Sequence, residues 1–155
     1  MLFTPDAITL IEQGIKTQTR RPCKEGEFAG TMLQAGKYAL TVVGGTPSQI
    51  MYRVGRTYAL CPGRGKPSVG RIEVADLRRE ALRDISDEDV KREGLRSEDE
   101  WPRLWRYGTQ HINVSDMTAA QAYLSLWKAL YPKSTLDENV WVITFKYLGG
   151  QNERS

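Results

Sequence analysis

Apolar positions along the chain change period several times. Ala7, Ile8, Leu10 and Ile11 recur at helical spacing and stop at Gly14. Ahead of them stands Thr4-Pro5-Asp6, a capping residue followed by proline at a first-turn position, so a short first helix is predicted. Residues 15–22 then alternate β-branched and polar side chains up to Pro22, a pattern that reads as extended backbone. Period two puts Lys16, Gln18 and Arg20 on one face and Thr17, Thr19 and Arg21 on the other, unless the chain turns between them. Residues 24–37 carry Gly26, Gly30 and Gly36 with little apolar periodicity and read as a long surface loop. Residues 38–43 supply a strand, and Gly44 to Ser48 a turn. Strand patterns at 54–60 and 69–77 flank Pro62-Gly63-Arg64-Gly65-Lys66-Pro67, which predicts a hairpin with a basic tip.

Further along, Ser86-Asp87-Glu88-Asp89 has a capping-box pattern opening a short helix that stops at Gly94, with Glu93 at its end. Residues 97–107 read as another helical piece, with Pro102 in its first turns. The strongest helix is predicted over 115–131, where Ala122, Tyr123, Leu126, Trp127 and Leu130 share one face and Pro132 ends the run. Residues 140–148 form the last strand and 151–155 a flexible tail. No repeat or linker divides the chain, so residues 1–150 are expected to form a single domain. The order helix, strands, helices, strand predicts an α+β fold, a small, partly closed mixed barrel with helices packed around it.

Composition narrows the functional classes. Of 155 residues, 40% are hydrophobic and 26% charged, which a folded chain of this length requires and a disordered one lacks. No stretch approaches the roughly 18 apolar residues of a membrane span, so no membrane role is expected. Cys23, Cys61 and His111 give neither a disulfide framework nor zinc-ligand spacing. A cytoplasmic protein without metal or other cofactor, assumed monomeric, is the expectation. The net charge of +3 is modest, but basic residues concentrate between Lys16 and Arg79 while 84–100 is acid-rich, which is compatible with one positive face.

The hairpin tip lacks the spacing and the Ser/Thr of a phosphate-binding loop, so a solvated turn is the reading there. Trp127 and Trp141 lie in apolar elements and read as core, whereas Trp101 and Trp105 in polar surroundings are available to stack on bases. The segment Gly14-Ile15-Lys16-Thr17-Gln18-Thr19-Arg20-Arg21 clusters an amine, two hydroxyls and two guanidiniums just past a helix. A solvated basic strand satisfies that pattern, and so does an anion or carbonyl site. In a partly desolvated cleft a lysine can act as base and a threonine hydroxyl can attack or orient water.

Gly14, Lys16, Thr19 and Arg21 resemble the Gly-x-Lys-x-x-Thr-x-Arg signature of the ASCH family. The resemblance continues through Val54-Gly55-Arg56-Thr57-Tyr58, Gly70-Arg71-Ile72-Glu73-Val74, residues 85–94, and Trp127 to Pro132 leading into 140–145. It implies a PUA-like barrel with a basic cleft for RNA or a modified nucleoside. One branch of the family is similar to N4-acetylcytidine amidohydrolases, and by motif its catalytic lysine, threonine and glutamate fall on Lys16, Thr19 and Glu93. Arg20, Arg21, Arg56, Tyr58 and Arg71 are the expected substrate or nucleic-acid contacts. Relative to the compact amidohydrolase type, residues 24–50 and 96–116 read as insertions. Two alternatives stand beside this: a non-catalytic RNA-binding module, and a ribonuclease using acids such as Glu73, Asp76 or Glu93 with a divalent ion.

Overall fold

A computed structural model of the chain describes residues 1–45, 47–97, 105–107, 110–112 and 118–150; for 105, 106 and 110–112 it describes the backbone alone. Helix α1 (Pro5–Glu12) starts where the cap predicts, with the Thr4 hydroxyl accepting from the Ala7 amide. Its apolar stripe packs against Phe3, Leu60, Ile72 and Phe145. Gly14 takes a left-handed φ of 74°, and the amides of Ile15 and Lys16 both donate to the Leu10 carbonyl. The extended segment therefore begins as a strand only at β1 (Gln18–Pro22), and Lys16 precedes the strand alternation.

The main sheet has seven strands among the described residues, all paired antiparallel. Besides β1 they are β2 (Glu27–Gln34), β3 (Lys37–Val43), β4 (Gln49–Arg53), β5 (Thr57–Leu60), β6 (Gly70–Ala81) and β10 (Asn139–Tyr147). Its path is β1-β10-β6-β3-β2, with β4 on β3 and β5 on β6. Strand β10 is central because Val140, Trp141, Val142 and Ile143 are all buried, so both its faces are covered. Val140 and Val142 face the cluster of Leu82, Val90, Leu95, Ala122, Tyr123 and Trp127, while Trp141 and Ile143 pack on Val74 and Leu77. A register shift between Thr144 and Phe145 re-aims the strand, and Phe145 joins the cluster under α1.

Helix α2 (Asp87–Glu93) is capped by the Ser86 hydroxyl and ends at Gly94, whose φ is 101°. Helix α3 (Ala119–Leu130) opens with a reciprocal capping box between Thr118 and Gln121. A second, three-stranded sheet consists of β7 (Arg96–Ser97), β8 (Trp105–Tyr107) and β9 (Gln110–Ile112). The α+β expectation is met.

Two expectations are corrected. The loop at 24–37 contains strand β2, paired with β3 over Glu27 to Gln34. As the last strand on the sheet path it leaves Phe28, Met32 and Leu33 exposed, so the alternation that marks a half-buried strand is missing. The helical piece at 97–107 is also not seen in its described part, since Arg96–Ser97 and Trp105–Tyr107 pair as strands. Residues 98–104, Trp101 among them, lie outside the described residues, as do the tail 151–155 and the side chain of Trp105. Trp127 and Trp141 are buried as expected. No described helix is long and apolar enough to cross a membrane.

Candidate active site

Helix α2 packs across the start of β1 and presents Asp89 and Glu93, one turn apart, to that strand. Facing them are Lys16, Gln18 and Arg20, the three residues that period two assigned to one face. The Lys16 ammonium lies 2.9 Å from Glu93 Oε2 and donates also to the Glu93 carbonyl at 2.9 Å. Gln18 Nε2 donates to Asp89 Oδ1 at 3.2 Å, and Arg20 Nη1 donates to Gln18 Oε1 at 2.7 Å. The Arg20 guanidinium meets Glu93 Oε1 at 3.4 Å, Asp89 Oδ2 at 3.2 Å, and Glu80 from β6. Arg78 closes the cluster from outside, pairing with Glu80 at 3.1 Å and Asp89 at 3.4 Å.

Charges this deep in a protein are kept only when paired and hydrogen-bonded. Lys16 and Glu93 are 4% and 3% exposed, Arg20 3%. Both oxygens of Glu93 are occupied, Oε2 by Lys16 and Oε1 by Arg20, so its carboxyl group is fixed in orientation. Burial by itself would raise the Asp89 carboxyl; the Gln18 hydrogen bond and the Arg20 and Arg78 charges outweigh it and hold the group at about 2. Burial would likewise lower Arg20, but Glu93 first and then its other partners push it up.

Lys16, Thr19, Arg20, Arg21 and Glu93 line one cavity of about 500 Å³. Its remaining wall carries Phe3, Tyr107 from β8, Tyr123 and Trp127 at successive turns of α3, and Tyr131 at the C-cap of that helix. The Lys16 nitrogen sits 5.6 Å from the Tyr107 ring centre. Burial, with the Glu93 charge adding to it, raises the phenols of both Tyr107 and Tyr123. The rim is formed by Thr4, Pro5 and Asp6 and by Pro62 and Gly63 of the hairpin tip. A solvated turn was expected at that tip, yet its first residues border the cavity.

Lys16 and Thr19 line the same cavity although period two set them on opposite faces. Arg56, Tyr58 and Arg71 lie elsewhere and do not line it. Arg56 is exposed, Arg71 donates to the Thr57 hydroxyl, and the Tyr58 hydroxyl accepts from the Arg53 amide. The acids considered for a metal are not brought together: Asp76 pairs with Lys37 and Arg78, while Glu93 is held by Lys16 and Arg20. Among the described residues no three His, Cys, Asp or Glu side chains converge to hold an ion.

Sequence reasoning missed Glu80, Asp89, Tyr107 and Tyr123. The one local signal was the pairing of Asp89 with Glu93 at i and i+4 on a capped helix, which sets both on a single face.

No protein-family model matches the sequence, and no curated protein is significantly similar to it. Solved structures are similar in fold. One is the crystal structure of an ASCH domain from Lactobacillus crispatus JV V101, matched at 15% identity with a TM-score of 0.50 over 91% of this chain and 69% of that one. Another is a DUF984 protein from Enterococcus faecalis V583, at 13% identity and a TM-score of 0.52 over 94% of this chain and 69% of that one.

Proposed function

We propose, from the ASCH-type fold that these similarities establish, that the chain hydrolyses the N-acyl amide of a modified nucleoside, with N4-acetylcytidine as the representative substrate. The observation that carries this reading is that the buried Lys16 and Glu93 pair and Thr19 line one cavity with aromatic walls. Aromatic walls suit a planar base, and the polar end supplies the groups that acyl transfer requires.

In this reading Lys16 is the base and Glu93 holds it in place. The Lys16 amine takes the proton of the Thr19 hydroxyl or of a water that Thr19 orients. The oxygen attacks the acetyl carbonyl, and the proton returns from Lys16 to the base nitrogen as the C–N bond breaks. If Thr19 is the nucleophile, water then hydrolyses its acetyl ester by the same proton route. The products are acetate and cytidine. Arg20 keeps Glu93 in place, since its guanidinium is committed to Glu93, Asp89 and Glu80.

The test is hydrolysis of N4-acetylcytidine by the purified protein, followed by mass spectrometry, beside Lys16→Ala, Thr19→Val and Glu93→Gln variants whose folding is checked by circular dichroism. Turnover by the wild type and its loss in folded variants supports the proposal; no turnover by the wild type sinks it. The competing reading, a non-catalytic RNA-binding module, is favoured by the exposed Arg56 near Arg71 and Tyr58 on β5 and β6. Its signature is salt-dependent RNA affinity without product.

A further inference from the structure

Adjacent guanidiniums on β1 have opposite surroundings. Arg20 is enclosed by three carboxylates. Arg21, turned to the other side by the strand alternation, lines the cavity and meets no Asp or Glu within ion-pair distance among the described residues. Its Nη2 donates to the Leu2 carbonyl at 2.5 Å, and its guanidinium carbon lies 4.9 Å from the Phe3 ring centre. Its Nε, like that of Arg20, is buried and has no acceptor among the described residues.

A guanidinium presents its donors as a fork matched to two oxygens of one anion. One donor here is tied to backbone, one face is covered by Phe3, and a buried N–H is left over. What sets Arg21 apart from Arg20 is that no carboxylate among the described residues matches its charge, so the guanidinium on the cavity wall is left to meet an anionic ligand. The other cations on the cavity wall are already matched, Lys16 by Glu93 and Arg20 by its three acids.

We propose that Arg21 is a phosphate anchor, so that the cavity takes a nucleotide, its base against the aromatic wall and its phosphate on Arg21, in preference to the free nucleoside. The inference uses the same cavity as the proposed reaction and does not depend on turnover. A phosphate of this kind belongs either to a free nucleoside monophosphate or to an internal position of RNA.

The experiment is calorimetric titration of the full chain at low salt with cytidine, cytidine 5′-monophosphate and the dinucleotide CpC, repeated with Arg21→Gln and Arg21→Lys. The expected result is at least about tenfold tighter binding of a phosphate-bearing ligand than of cytidine, a factor worth about 1.4 kcal/mol. In Arg21→Gln the preference falls to about one, and Arg21→Lys, which keeps the charge but loses the fork, retains part of it. Preference for the monophosphate supports a free nucleotide, and equal or tighter binding of CpC supports the RNA source. Equal affinity for cytidine and its monophosphate overturns the proposal, as does no binding of either phosphate ligand or a preference that survives Arg21→Gln. Should Arg21→Gln fail to fold, the comparison of ligands on the wild type and on Arg21→Lys still decides. Phosphate preference without N4-acetylcytidine hydrolysis removes the reaction and leaves the anchor; hydrolysis without phosphate preference does the reverse.

Discussion

Replacing Arg20 by methionine tests whether the buried charge cluster holds the molecule together. The guanidinium is fully enclosed and bonded to Gln18, Glu80, Asp89 and Glu93. Methionine fills much of the same space but offers no positive charge, so three carboxylates lose a common partner. Removing one member of a buried ion pair costs about 3–5 kcal/mol, because the remaining charge stays desolvated. Here the damage is shared. Arg78 still pairs with Glu80 and Asp89, Arg92 with Asp89, and Lys16 with Glu93. The lower end, about 3 kcal/mol, is therefore expected, which for a chain of this length lowers the melting temperature by roughly 6–12 °C. The control is Arg83→Met, which removes an exposed pair with Asp137 at 2.6 Å and is expected to cost below about 1 kcal/mol. Urea and thermal unfolding of both variants at neutral pH measure the difference. If Arg20→Met costs no more than Arg83→Met, the cluster is energetically neutral and the argument from burial is wrong.

Two further outcomes follow from the same region. Asp89 titrates at about 2 in the fold against 3.8 for a free carboxyl, so the folded state favours its charged form. That contribution is complete above pH 3.8 and disappears as the pH falls toward 2. Discounted for solvent screening it amounts to about 1–2 kcal/mol, and Asp89→Asn is expected to lose it at pH 6 and to differ from the wild type by only about a third as much near pH 2.5; a constant difference in urea unfolding across that window would count against the assignment. Gly94 combines a φ of 101° with close neighbours: an added Cβ lies 3.1 Å from the Leu10 side chain and 3.3 Å from Lys16 Cβ. Gly94→Ala is expected to cost at least about 1 kcal/mol from backbone strain and to shift Lys16 away from Glu93, so thermal melts and N4-acetylcytidine turnover should both fall, whereas an unchanged melt with unchanged turnover would contradict the packing.

The three helices and the last strand were legible in the chain alone. Thr4 before Pro5, Ser86 before an acidic turn, the apolar stripe through Trp127, and the run at 140–148 are signals contained within a few residues. The edge strands were not legible. Strands β2 and β4 bury little apolar surface of their own, and β7, β8 and β9, at 2, 3 and 3 residues, are too short to show a period; the hydrogen bonds of all five go to a partner that only the sheet supplies. The site divides in the same way. Lys16, Thr19 and Glu93 were named by resemblance to a family motif, and the face shared by Lys16, Gln18 and Arg20 followed from period two. What the tertiary structure decided is which charges cancel. Lys16 meets Glu93 across 77 residues of sequence and Arg20 meets Glu80 across 60. The sequence set Arg20 and Arg21 on opposite faces of one strand without saying which face meets the acids. Folding encloses the first among carboxylates and leaves the second open to the cavity, because strand alternation turns them to opposite sides and only one side faces the acids of α2 and β6.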